Sequence, residues 1–65
     1  MDTKQLCEML ERSITTWTHA QLMMAFEYCD NMCYSIDEKS VAFAWWYHLR
    51  KEIRQEITAR GGRRP

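Results

Sequence analysis

The sequence predicts an all-α protein: a small three-helix domain, two short helices packed on a longer C-terminal helix, assembled as a homodimeric helical bundle. Three observations carry that reading. Apolar residues recur at intervals of three and four through most of the chain, the spacing of helical faces. Ser, Thr and Asp stand where helices would begin, and Gly61 stands where the last would end. No alternating strand pattern closed by a tight hairpin turn is present. At 65 residues the chain has room for one core.

In the first segment, Leu6, Leu10, Ile14 and Trp17 fall on one helical stripe. Asp2 or Thr3 can cap the start, and Ser13, Thr15 and Thr16 weaken the end. Helix 1 is therefore placed at about 3–14. Helix 2, about 19–33, opens on the capping box Thr18-His19-Ala20-Gln21, with Trp17 and Leu22 as a hydrophobic staple. Leu22, Ala25, Phe26, Cys29 and Cys33 form its core stripe, and Met23, Met24, Tyr28 and Met32 widen the apolar surface. A helix apolar over so much of its girth packs on more than one side.

Helix 3, about 37–60, begins at a second capping box, Ser35 with Glu38, or at Asp37 with Ile36 and Val41 as staple. Val41, Ala42, Trp45, Trp46, Leu49, Ile53 and Ile57 share one arc of its wheel, the expected core face. On this reading Trp46 belongs to the core that holds the domain together. Gly61 supplies a C-terminal residue free to turn left-handed, and 61–65 read as a flexible basic tail. The single helical domain is thus 1–60.

The dimer expectation is energetic. A chain of this size buries about 60% of its unfolded surface as a monomer, close to the margin of stability. Leu, Ile, Val and Phe make up 11 of 65 residues, so three Trp, three Tyr and five Met must supply the remaining apolar bulk. A second copy would cover the surplus apolar face of helix 2.

Charge is balanced overall, nine acidic against nine basic residues, but it is unevenly placed. Residues 1–40 carry seven acids and three bases, whereas 41–65 carry two acids and six bases. On helix 3, Phe43 and Tyr47 stack one turn apart away from the core arc, and Arg50 and Arg54 continue the stripe. Aromatic and Arg side chains are the types enriched at interface hot spots, so these four are the expected partner-binding residues. A local cation–π contact between Arg and Tyr is the plainer explanation of the same pattern. Lys51, Arg60, Arg63 and Arg64 are candidate phosphate contacts should the basic end meet nucleic acid.

Other chemistry is poorly supported. Cys29 and Cys33 lie one turn apart but on the core stripe, where free Cys acts as a small hydrophobe; no metal site and no cofactor are expected. Cys7, Cys29 and Cys33 with His19 or His48 supply a nucleophile and base on paper, without an oxyanion hole or a cavity, so no catalytic residue is assigned. His48 has Glu52 one turn later as an ordinary hydrogen-bond partner. Helix 3 is too aromatic for a helix-turn-helix reader, and Glu52 and Glu56 interrupt its basic run. Its tryptophans are used more economically as core than as membrane anchors. A polar N-terminal segment and an odd cysteine count suit a cytoplasmic protein with reduced thiols and no membrane contact.

These readings converge on a small non-enzymatic protein–protein interaction module, an adaptor or inhibitor of a larger cytoplasmic protein. In general character the chain is similar to accessory proteins of bacteriophages and other mobile elements. The alternative is a nucleic-acid-binding regulatory protein that uses the Arg- and Lys-rich C-terminal helix and tail.

Overall fold

The computed structural model describes residues 3–62. Every regular element among them is helical: α1 (Thr3–Leu10), a short 3₁₀ turn (Ile14–Thr16), α2 (His19–Ser35) and α3 (Val41–Ile57), which runs into a widened turn at Thr58–Gly62. The Cα trace measures 37 × 25 × 16 Å. Its shortest dimension is the thickness of two packed helices, so each helix keeps a face toward water. The principal pair is α2 and α3, antiparallel across the 36–40 turn, with α1 and the 3₁₀ turn closing one side of the core.

The expected capping box at Thr18 is present in full. The Gln21 N–H donates to Thr18 Oγ1 at 3.1 Å, and the Thr18 N–H donates to Gln21 Oε1 at 2.9 Å. Two N–H groups that the first helical turn leaves without partners are satisfied this way. Trp17 and Leu22, the staple residues, are both fully buried. The C-terminal glycine also behaves as the sequence suggests: Gly61 adopts φ 121° and ψ 22°, a region L side chains rarely enter.

The junctions before and after α2 differ from expectation, each for a local reason. Helix 1 stops at Leu10 rather than near 14, because Glu11 and Arg12 tighten into i→i−3 bonds to Glu8 and Met9. Ser13 then caps the 3₁₀ turn, and its carbonyl accepts the Thr16 hydroxyl at 2.7 Å. Trp17 consequently does not continue the α1 stripe; Leu6 and Met9 are the buried residues of that helix. Thr3 is its first described residue, its hydroxyl sharing a 3.0 Å hydrogen bond with that of Tyr28, while Asp2 lies outside the described residues. At the other junction, neither Ser35 nor Asp37 caps α3. The Asp37 carbonyl accepts the Ser40 N–H and hydroxyl, folding 37–40 into a turn, and Ser40 Oγ accepts from the Phe43 N–H at 3.1 Å. The third helix is therefore no longer than the second: α2 and α3 have 17 residues each.

The core consists of Leu6, Met9, Trp17, Leu22, Ala25, Cys29, Leu49 and Ile53, with Leu10, Ile14, Phe26, Tyr28, Trp46 and Ile57 packed around it. This corrects the wheel of helix 3. Its covered arc is narrower than expected: Leu49 and Ile53 are buried and Trp46 and Ile57 half-buried, but Val41 is 87% exposed and Trp45 51%. Ala42 is exposed as well. With two helical layers, α2 covers one flank of α3, and no described residue buries the flank of Val41 and Trp45. The tryptophan at the centre is Trp17, whose Nε1–H donates to the Met9 carbonyl at 2.9 Å. Trp46 sits at the core's edge, 5.5 Å from the Tyr28 ring centroid and edge-on to Trp45 at 4.8 Å.

Trp17→Ala should cost about 3–5 kcal/mol, close to the whole stability of so small a domain. Trp46→Ala should cost less, because part of that ring is already hydrated. Urea melts of the two variants followed by circular dichroism check the order, and a less stable Trp46 variant would contradict this core.

Candidate functional site

Three residues of the stripe picked out on helix 3, Tyr47, Arg50 and Arg54, line a groove that runs along α3 and is bordered from α2 by Phe26. Phe43 and Tyr47, four residues apart on one helical face, stack with centroids 5.9 Å apart and an interplanar angle of 16°. One turn further along, the Arg50 guanidinium lies 5.4 Å from the Tyr47 centroid and 5.9 Å from that of Phe26, which comes from α2. Its Nη1 also meets Asp30 Oδ1 at 2.6 Å. Arg50 thus ties the two helices together through a charge-assisted hydrogen bond and two ring faces. The plainer reading of the Arg–aromatic pattern is therefore present for this residue.

Beyond that clamp the helices leave a groove of about 520 Å³, lined by Phe26, Tyr47, Arg50, Lys51, Arg54 and Thr58 among others. Its volume lies in the range of ligand-binding clefts, and its lining contains no carboxylate. A shallower depression of about 390 Å³ adjoins it across Phe26, with Met23, Met24, Glu27 and Asp30 on its walls. One continuous surface results, with a basic side on α3 and an acidic, Met-rich side on α2.

The residues singled out in the sequence fare differently. Phe43 is half-buried, Tyr47 is 48% exposed and Arg54 is exposed; Tyr47, Arg50 and Arg54 line the groove together. Lys51, a candidate phosphate contact, lines the same groove. Arg60 is turned inward along the chain: its Nε meets Glu56 Oε2 at 2.8 Å, and its Nη2 donates to the Thr15 carbonyl at 2.9 Å. It anchors the end of α3 to the 3₁₀ turn. Arg63 and Arg64 lie outside the described residues. Phe26 packs against the core from the stripe of helix 2, as expected, and also lines both depressions. The neighbouring pair Met23 and Met24, both more than two-fifths exposed, was the sequence signal that this side of helix 2 is apolar beyond what the core uses.

The three thiols are free, with Cys7 exposed, Cys29 buried and Cys33 between. Burial pushes the Cys29 thiol up to about 12, with Cys33 adding to the rise and Arg50 opposing it. The Cys29 thiol stays protonated through neutral pH and serves as packing. His48 Nε2 lies 3.1 Å from Glu52 on the exposed face of α3, the partner anticipated for it. Among the described residues no cluster of three His, Cys, Asp or Glu is placed to hold a metal ion, and no helix is long and apolar enough to cross a membrane.

Comparison with protein-family models, with curated proteins and with solved structures finds no match to this chain.

The thiol assignment has a pH signature. In the unfolded chain Cys29 ionises near its ordinary value of 9.0, whereas in the native state it holds its proton to about 12. Alkali therefore favours the unfolded state across that window. The stability difference between wild type and Cys29→Ala should be constant below about pH 8 and shift in favour of the variant as pH rises above 9.0. Denaturant melts at a series of pH values check this; a pH-independent difference would show that Cys29 is not desolvated.

Proposed function

We propose that the chain is a non-enzymatic protein–protein interaction module, a cytoplasmic adaptor or inhibitor that works by occupying a surface on a larger protein. The observation that supports this most is the groove between α2 and α3, where Tyr47 and Arg54 stand exposed beside the Arg50 clamp. Exposed aromatic rings next to Arg are the usual anchors of interfaces, and the fold does not use the outer faces of these side chains.

The same geometry weighs against nucleic acid. Of the basic residues on α3 and its terminal turn, Arg50 is neutralised by Asp30 and Arg60 by Glu56. On α3 and that turn, among the described residues, Lys51 and Arg54 are left for the row of phosphate contacts that drives such binding. The homodimer belongs to the same proposal and uses a different surface. Val41, Trp45 and the 95% exposed Tyr34 stand at the end of the α2–α3 pair that carries the 36–40 turn. A second copy seated there would cover apolar rings that a monomer leaves in water.

Two experiments test these statements. Tyr47→Ala combined with Arg54→Ala should abolish capture of a protein partner while leaving the helical circular-dichroism signal unchanged. Light scattering at about 50 and about 300 mM salt, with and without a short DNA duplex, should give twice the 7.9 kDa chain mass in every condition. Val41→Glu with Trp45→Glu should halve it. A single-chain mass that rises with DNA at the lower salt alone would favour the nucleic-acid reading instead.

A further inference from the structure

Resting on the interaction-module reading, the geometry points to a specific class of partner: we propose that the α2–α3 groove receives an acidic amphipathic helix. The groove follows α3 from Tyr47 to Thr58, roughly 16 Å at the rise of an α-helix. A partner helix of about three turns would span it, presenting apolar anchors one turn apart.

The lining says what such a helix must carry. The apolar part comes from Phe26 and Tyr47, with Ala59 at the far end beside the polar Gln55 and Thr58. Large apolar side chains at helical spacing fit that lining. The rim is cationic. The Arg50 charge is answered within the molecule by Asp30, but Lys51 and Arg54 are exposed and make no ion pair with an acidic residue among the described residues. Both overlook the groove, and no carboxylate lines it. A partner with Asp or Glu flanking its apolar anchors would meet two cations whose charge the fold leaves unanswered. A basic partner would meet like charge on that wall.

Arg50 makes the site preformed. Its guanidinium is held on Asp30, Phe26 and Tyr47 before any ligand arrives, so the groove lining loses little further freedom on binding. Glu27 on α2 lies beyond Phe26 and sets a boundary, the Asp30 charge beside it being already answered by Arg50. It repels acidic residues placed on that flank, so the partner's carboxylates are confined to the α3 side.

A random sixteen-residue peptide display library, selected on the immobilised full-length chain and counter-selected on Lys51→Glu with Arg54→Glu, tests this. Peptides that prefer the wild type should be enriched in Asp and Glu around apolar residues spaced three and four apart. Their affinity should fall roughly tenfold or more on the double variant, whose circular dichroism should match wild type. Selected peptides that are neutral or basic, yet are lost on Tyr47→Ala, would overturn the acidic partner and leave the interaction module standing. No groove-dependent peptide at all, with a DNA duplex binding the wild type, would overturn both. A chain whose dimer is dissociated by Lys51→Glu with Arg54→Glu would show the groove to be filled by a second copy, which also overturns this proposal.

Discussion

Trp17 is the fixed point of this small fold. It precedes the Thr18 cap of α2, and its ring is fully buried among residues of α1, α2 and α3. Its indole N–H reaches back to the carbonyl of Met9 in the last turn of α1. A buried indole whose donor is satisfied contributes its full apolar area without the cost of an unpaired polar group. One side chain thereby sets where α1 ends, how α2 begins and what α3 packs upon. The chain has few aliphatic residues to spare, and a single large ring at the meeting point of three elements makes a core of eight buried residues sufficient.

The candidate site is a consequence of that economy. Two helical layers cover one flank of α3 and leave the others in water, so side chains that are not core become surface of a definite kind. On one of those flanks Arg50 bridges to α2, and by closing the helices together at that level it shapes the groove below. The same contact has two roles: it steadies the α2–α3 pair, and it removes one positive charge from the site while leaving those of Lys51 and Arg54. The Asp30 side chain is more than half exposed, so solvent screens the ion pair, and the two ring contacts of Arg50 add to what it holds. Arg60 acts similarly at the end of the helix, where it holds the 3₁₀ turn through main-chain carbonyls.

What the sequence made legible was local. The Thr18 box and the Trp17–Leu22 staple could be read because each partner lies within five residues of the other, and the peptide geometry leaves few alternatives. The start of α3 could not be resolved that way, since Ser35, Asp37 and Ser40 are all competent caps. The choice fell to Ser40 when Asp37 closed a turn with its own carbonyl. The wheel of helix 3 identified Leu49 and Ile53 but also admitted Val41 and Trp45, because periodicity gives the direction of a core and not the width of the layer that covers it. Phe26 as a groove residue was hidden for a related reason: it lies on the core stripe of α2, and its role at the groove depends on Arg50, 24 positions away in the sequence. The Arg50–Asp30 bridge likewise joins residues that no local pattern relates.

The Tyr47 face of α3 stands half open to water while the Ile53 face is fully buried, so the first should tolerate a charge and the second should not. Thermal melts of Tyr47→Asp and Ile53→Asp, measured side by side, test it most directly. The account predicts a cooperative transition for Tyr47→Asp, with a modest loss of stability from the broken stack on Phe43 and Arg50. It predicts no folded baseline for Ile53→Asp, where a carboxylate would be buried without a partner. A Tyr47→Asp chain that fails to fold, or an Ile53→Asp chain that melts like wild type, would contradict it.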